Sequence, residues 1–290
     1  MKKNSGSENL SPNRIAFRKF RKNKLAMFGL IVIVVLIVVS IAAPVLTPYD
    51  RDKIDMYSME APPSSEHLLG TDEIGRDVLT RLLYGGRVSL AVGILASLAE
   101  IVIGVVLGAV AGFYGGKVDA VIMRITDVIM CFPFFVVAIV LAAIVGPSMV
   151  NLIFIIAILE WTKIARIVRA EVLSLKERDF ITASRSMGLN EFEIILRHIL
   201  PNTFASIMVF ATLAIANGIL TEAALSFLGM GVRPPQPSWA NMLAAAQSMR
   251  VLQYEWWLWI PQGFMVFITV ISINFLGDGL RDALDPKLKT

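Results

Sequence analysis

The chain has 290 residues, of which 56% are hydrophobic and 17% charged, with a mean hydropathy of +0.68; a soluble domain carries about 25% charged residues. Its net charge of +4 comes from basic residues bunched beside apolar stretches, a pattern that reports membrane topology and makes nucleic-acid binding a poor inference. A single cysteine, Cys131, excludes an intrachain disulfide.

Windows of about 20 apolar residues, the length that crosses a hydrocarbon core, recur along the chain. Residues 1–24 form a basic tail, with Lys2, Lys3, Arg14, Arg18, Lys19, Arg21, Lys22 and Lys24 against the single acid Glu8. Such a tail is expected on the cytoplasmic side. The first crossing is 25–46, LAMFGLIVIVVLIVVSIAAPVL. It is too long for the core of a cleavable signal, and no small-residue cleavage site follows before the Pro44 and Pro48 region. An acid-rich outer loop covers 47–87, where Asp77 and Arg81 have the spacing of a local pair.

A membrane core at 88–277 supplies further crossings at 88–113, 126–146, 149–165, 203–228 and 257–277. Pro133 lies inside the third, and Glu160, Lys163 and Arg166 crowd the end of the fourth. Six crossings place both termini in the cytoplasm, with 278–290 as a second inner tail. The segment 166–202 then falls inside with six arginines and lysines, as charge bias requires. The expectation is an all-α membrane protein with six transmembrane helices. Trp239, Trp256, Trp257 and Trp259 suit an interfacial belt, and Arg124 with Asp127 suits a structural anchor.

Tools for self-powered chemistry are missing. AGFYGGKV at 111–118 fails the phosphate-loop pattern at Ala111 and Val118; Gly112, Gly115 and Gly116 read better as the end of the second crossing and a turn. His67 and His198 fall on opposite sides of the membrane, so they cannot share a zinc ion.

Between the fourth and fifth crossings stands TASRSMGLNEFEIILRHILPN, residues 182–202. Phe180, Ala183, Ser184 and Met187 fall on one helical face, and Gly188 supplies a left-handed stop. Asn190 and Glu193 have the spacing that starts a second helix. There Phe192, Ile195, Leu196, Ile199 and Leu200 form a stripe, Glu193 can pair with Arg197, and Pro201 punctuates entry into the fifth crossing. An amphipathic helix of this kind packs on the bundle, lies in the headgroups, or fits a groove on a partner.

Acids within crossings need a reason, since a charge at the bilayer centre costs at least about 2.5 kcal/mol. Glu160 can meet Lys163. Glu100 belongs to a slowly drifting stripe with Ala96, Gly104, Gly108 and Gly112, so that face should meet another helix or a path and not lipid. Glu222 precedes the outer end of the fifth crossing by about one and a half turns.

The spacing of Ala183, Gly188 and Leu200-Pro201 resembles the EAA loop of bacterial ATP-binding-cassette importer permeases. LGTDEIGRDVLTRLLYGGRVSL (69–90), LTEAALSFLGMGVRPPQPSWANML (220–243) and NFLGDGLRDALDPK (274–287) are similar to the dipeptide, oligopeptide and nickel branch, in its C-type subunit. The family's Glu-Ala-Ala reads Thr182-Ala183-Ser184 here, and the general pattern's Ile falls on His198. The resemblance implies a type I importer permease fold with a cytoplasmic coupling-helix loop at about 178–202, in which Thr182, Ala183, Ser184, Met187, Gly188, Leu200 and Pro201 serve the ATPase contact. Glu222 matches the EAALSFLG stretch and, with Glu100, is a candidate for the path or gate. Implied partners in the bacterial inner membrane are a second homologous permease, two ATPase subunits and an extracytoplasmic binding protein. ATP and Mg would be held by the ATPases; this chain would hold no cofactor or metal and catalyse nothing. The implied cargo is a dipeptide or oligopeptide, with nickel or another small solute as the alternative. From other classes, the rivals are a proton-coupled secondary transporter using Glu100, Glu160 or Glu222, and a membrane scaffold without a transport path.

Overall fold

The structure, a computed structural model, describes the chain from Pro12 to Leu284 and its side chains from Ala16. The remainder of the basic tail, including Lys2, Lys3 and Glu8, and the last residues of the 278–290 tail lie outside the described residues. Among the described residues all regular structure is helical. In chain order the α-helices are α1 (Pro12–Lys22), α2 (Lys24–Ile41), α3 (Ala43–Leu46), α4 (Val78–Tyr114), α5 (Gly116–Cys131), α6 (Phe134–Val145), α7 (Met149–Lys176), α8 (Asp179–Ser186), α9 (Glu191–Ile194), α10 (Leu200–Phe227), α11 (Trp239–Leu243), α12 (Met249–Tyr254) and α13 (Ile260–Leu284).

Among the described residues four helical stretches are long and apolar enough to cross a membrane: Lys24–Ile41, Val78–Tyr114, Glu191–Phe227 and Ile260–Leu284. The bent pair α5 and α6 makes a fifth if it is one span. The predicted fourth crossing, within α7, is not among them, because Glu160, Lys163 and Arg166 crowd it. It nevertheless runs along α4 in the most extensive helix pairing of the bundle.

The second predicted crossing starts ten residues early. Asp77 caps α4, its carboxylate accepting from the Thr80 amide at 2.7 Å and the Thr80 hydroxyl at 2.6 Å, so the helix begins at Val78 and not near 88. At 1.5 Å per residue its 37 residues span about 56 Å, more than a hydrocarbon core, and its first turns belong to the segment 47–87. The expected Asp77–Arg81 side-chain pair is not formed. Asp77 bonds His67 Nδ1 at 2.9 Å, while Arg81 turns to Asp52 and Asp72 at 3.5 and 3.6 Å.

The third predicted crossing, 126–146, is not one helix. α5 and α6 meet at 89° across Phe132 and Pro133. Proline has no amide hydrogen to continue the ladder, and it pushes the residue before it out of the helical region; Phe132 is extended at φ −92° and ψ 139°.

Small residues let the long helices close on one another. Ala96, Glu100, Gly104, Gly108 and Gly112 are all buried, and the three glycines lie against Trp161, Ile164, Ala165, Arg169 and Val172 of α7. α13 uses the same device: Gly277 abuts Thr212 of α10, and Gly279 abuts Ala26 of α2.

Two of the tryptophans expected at the interface are instead plugs in the core. Trp239 is buried and donates its indole N–H to the Leu82 carbonyl at 2.8 Å. Trp257 is buried beside Gly70, while Trp256 is exposed. The apolar ring outweighs the polar handle where one carbonyl can satisfy that handle.

Candidate functional site

The loop end of the bundle gathers the segment around 178–202. α8 stops at Met187; Gly188 follows at φ +80°, and the Leu189 amide donates to the Ser184 carbonyl at 3.2 Å. Asn190 then accepts from the Glu193 amide at 2.7 Å. These are the stop and start expected from the sequence, and Glu193 pairs with Arg197 at 2.5 Å.

The second short helix does not end before the fifth crossing. α9 runs through a π turn, Ile195–Ile199, directly into α10, the Leu200 amide donating to the Ile195 carbonyl. Pro201 has no amide for the carbonyl four residues back, and its ring crowds that position. Widening the preceding turn relieves the crowding, and the chain from Glu191 to Phe227 is one stretch of 37 residues.

Burial divides the segment into two faces. Ile181, Ser184, Ile194, Ile195 and Ile199 are buried, and the four isoleucines share a cluster with Phe113 of α4 and Ile164, Val168 and Val172 of α7. Thr182, Ala183, Met187, Gly188 and Pro201 are exposed, and Leu200 is half-buried. Ser184 therefore does not share an outward face with Ala183 and Met187; its hydroxyl donates to the Phe180 carbonyl at 2.8 Å. Outward stand Phe180, Met187, Phe192 and Leu196, at 42, 71, 68 and 47% exposure.

Polar contacts tie this segment's base to the long helices. The Lys176 ammonium donates to the Phe113 carbonyl at 2.5 Å, and the Arg185 guanidinium lies over the Phe113 ring, 5.3 Å from its centroid. Arg169 of α7 grips Asp119 of α5 through both carboxylate oxygens. Asp127 takes Arg166 at 2.5 Å and Arg124 at 4.0 Å. Sequence spacing exposed the Arg124 pair; Arg169–Asp119 and Arg185–Phe113 join residues 50 or more apart, with no local signal.

The two candidate path acids are buried, at 4% exposure for Glu100 and 1% for Glu222, and the structure does not bring them together. Glu100 faces Glu160 and Lys163 of α7, which pair at 2.5 Å. Glu222 of α10 lies beside Ser89 of α4 and Ser238, yet neither of its oxygens closes a hydrogen bond. Both hydroxyls accept from amides, Ser89 from Trp239 at 3.1 Å and Ser238 from Asn241 at 3.0 Å. Ser89 and Glu100 are about 16 Å apart along α4. The described residues hold no cluster of three or more His, Cys, Asp or Glu side chains that could take a metal ion.

Comparison with known proteins agrees with this architecture. Residues 104–290 match the family model of the binding-protein-dependent transport system inner membrane component, and 11–63 match the N-terminal TM domain of oligopeptide transport permease C. The chain is 43% identical to the dipeptide transport system permease protein DppC of Alkalihalophilus pseudofirmus, over 97% of this chain and 92% of that protein. It is 40% identical to the oligopeptide transport system permease protein OppC of Bacillus subtilis, over 97% and 92%, and 43% identical to the glutathione transport system permease protein GsiD of Pectobacterium atrosepticum, over 97% and 93%. A chain of the MetNI methionine ABC transporter, in inward-facing conformations, superposes with a TM-score of 0.54 at 18% identity, covering 71% of this chain and 97% of that one. With its all-helical bundle, its small-residue seams and its exposed loop, the chain belongs to the family of binding-protein-dependent transport inner membrane components, as a permease of the type I ABC importer fold.

Proposed function

We propose that this chain is the C-type permease subunit of an ATP-driven importer of dipeptides or oligopeptides, paired with a second permease and moved by two ATPase subunits through the 178–202 loop. The observation that carries the coupling role is the two-faced loop. Its outward side shows four large apolar side chains beside a rigid glycine stop, the form of an amphipathic helix that fits a groove on a partner. Its inward side is locked by Ile181, Ile194, Ile195 and Ile199 to α4 and α7, and it continues unbroken into α10. A displacement of the loop is thus passed to three long helices at once.

ATP and Mg belong to the ATPase subunits on this reading, and an extracytoplasmic binding protein delivers the peptide. The loop end faces the cytoplasm, which the basic residues on it support. Peptide as cargo is supported by the names of the relatives. Affinity purification of the tagged chain from native membranes tests the assembly: ATPase subunits and a second permease are expected to co-purify, and the reconstituted complex to take up a labelled dipeptide on ATP. Replacing Met187 and Phe192 by Ser should strip the ATPases while the chain stays folded. A chain that purifies alone and responds only to an imposed pH gradient overturns the proposal.

A further inference from the structure

We propose that α1 is an anionic-lipid sensor, an amphipathic helix on the cytoplasmic leaflet whose headgroup contacts set the position of α13; this rests on the orientation given above and not on the identity of the cargo. α1 ends at Lys22 and the membrane-crossing helix α2 starts at Lys24, so one residue, Asn23, separates them. The Asn23 side chain caps α2, accepting from the Leu25 and Ala26 amides at 3.1 Å each. α1 is therefore held at the depth where α2 enters the bilayer.

Its faces are chemically distinct. Arg18, Arg21 and Lys22 fall at i, i+3 and i+4, and all are exposed, as is Lys24. None of these four side chains has an ion-pair or hydrogen-bond partner among the described residues. Phe17, at the edge of that face, is 66% exposed. Phe20 points the other way, within 3.4 Å of the place a Cβ on Gly279 of α13 would take. No acid occurs between Glu8 and Asp50. A basic helix with an aromatic at its edge, fixed at a membrane entry point, matches a surface of anionic headgroups over acyl chains. Each basic side chain at such a surface strengthens attachment about fivefold, and salt screens the effect. Phe20 and Gly279 then transmit the attachment to the inner end of α13, one of the helices packed on α10.

The experiment uses the complete complex in vesicles of phosphatidylcholine alone or of equal parts phosphatidylcholine and phosphatidylglycerol. A Phe17→Cys, Cys131→Ser chain carrying an environment-sensitive fluorophore at residue 17 reports the helix directly, without transport. The label is expected to move to a less polar environment in the anionic vesicles, and added salt to reverse the shift. ATP-driven uptake by the unlabelled complex should be several-fold faster in anionic vesicles. Replacing Arg18, Arg21 and Lys22 together by Gln should remove both responses; Lys2, Lys3, Arg14, Lys19 and Lys24 remain to hold orientation, which a carboxy-terminal reporter checks. A label that reads the same in both vesicles, a triple variant that keeps the lipid dependence, or a label that responds to the ATPase subunits and not to lipid composition would each overturn the proposal. Loss of uptake in both vesicle types with a normal fluorescence shift counts against the importer reading instead.

Discussion

Gly108 of α4 and Ala165 of α7 meet backbone to backbone: a Cβ on Gly108 would stand 3.0 Å from the Ala165 Cα and closer still to its carbonyl oxygen. Gly104 and Gly112 repeat the approach a turn to either side. Lipid is as apolar as leucine, so helices in a bilayer associate through close packing of this kind and not through a hydrophobic drive.

The Gly108→Val variant should therefore be the most damaging single change on this seam. The added methyl groups meet backbone, which cannot swing aside, and overpacking costs about 1–3 kcal/mol. A lower melting temperature of the detergent-purified chain, read by fluorescence size-exclusion, is the expected result. A melting temperature equal to that of the unaltered chain means that the two helices do not pack so closely.

Gly188→Val tests a different physical term. No atom lies within 4 Å of the missing Cβ, but φ is +80°, so the cost is backbone strain of about 1–2 kcal/mol and not a clash. The variant should insert normally yet lose ATPase retention and uptake. Gly188→Asn, which tolerates the left-handed region, should keep most of both. Equal loss in the two variants would point to a side-chain effect at this exposed corner.

Glu100→Gln separates ATP drive from proton drive. Glutamine is nearly isosteric, uncharged, and still able to face Glu160 and Lys163. In an ATP-driven permease at least part of the uptake should survive in vesicles without a gradient. Abolished uptake together with lost gradient dependence assigns Glu100 to proton transfer and supports the secondary-transporter rival.

Topology reporters fused at residue 10 and after Thr290 should both read cytoplasmic, and one near Ser64 extracytoplasmic. Opposite readings at the two ends would remove one crossing. α7 is then the first to question, since Glu160, Lys163 and Arg166 keep it from qualifying by length and composition.

Composition and periodicity were enough to establish helices, their rough number and the amphipathic segment, because these depend on neighbours within a turn or two. The stop at Gly188, the cap at Asn190, and the Glu193–Arg197 and Glu160–Lys163 pairs are local in the same sense, and all four are present. The stripe through Ala96, Gly104, Gly108 and Gly112 predicted a close helix contact, but not that α7 would make it. Pro133 and Pro201 show the boundary most clearly. Each removes one amide hydrogen, yet the chain breaks by 89° at the first and runs on through a π turn at the second. At Pro201 the core contacts of Ile195 and Ile199 with α4 and α7 hold the backbone helical, so the ladder widens. At Pro133 the extended Phe132 turns the chain, and Ala138 and Ala142 of α6 pack against Leu152, Ile155 and Ile156 of α7. Likewise Trp239 and Trp257 became core plugs because Gly86 and Gly70 leave room for their rings, a fit between residues more than 150 apart in the chain. Only the tertiary structure decides such outcomes, since the same local chemistry is resolved by whichever distant surface it packs against.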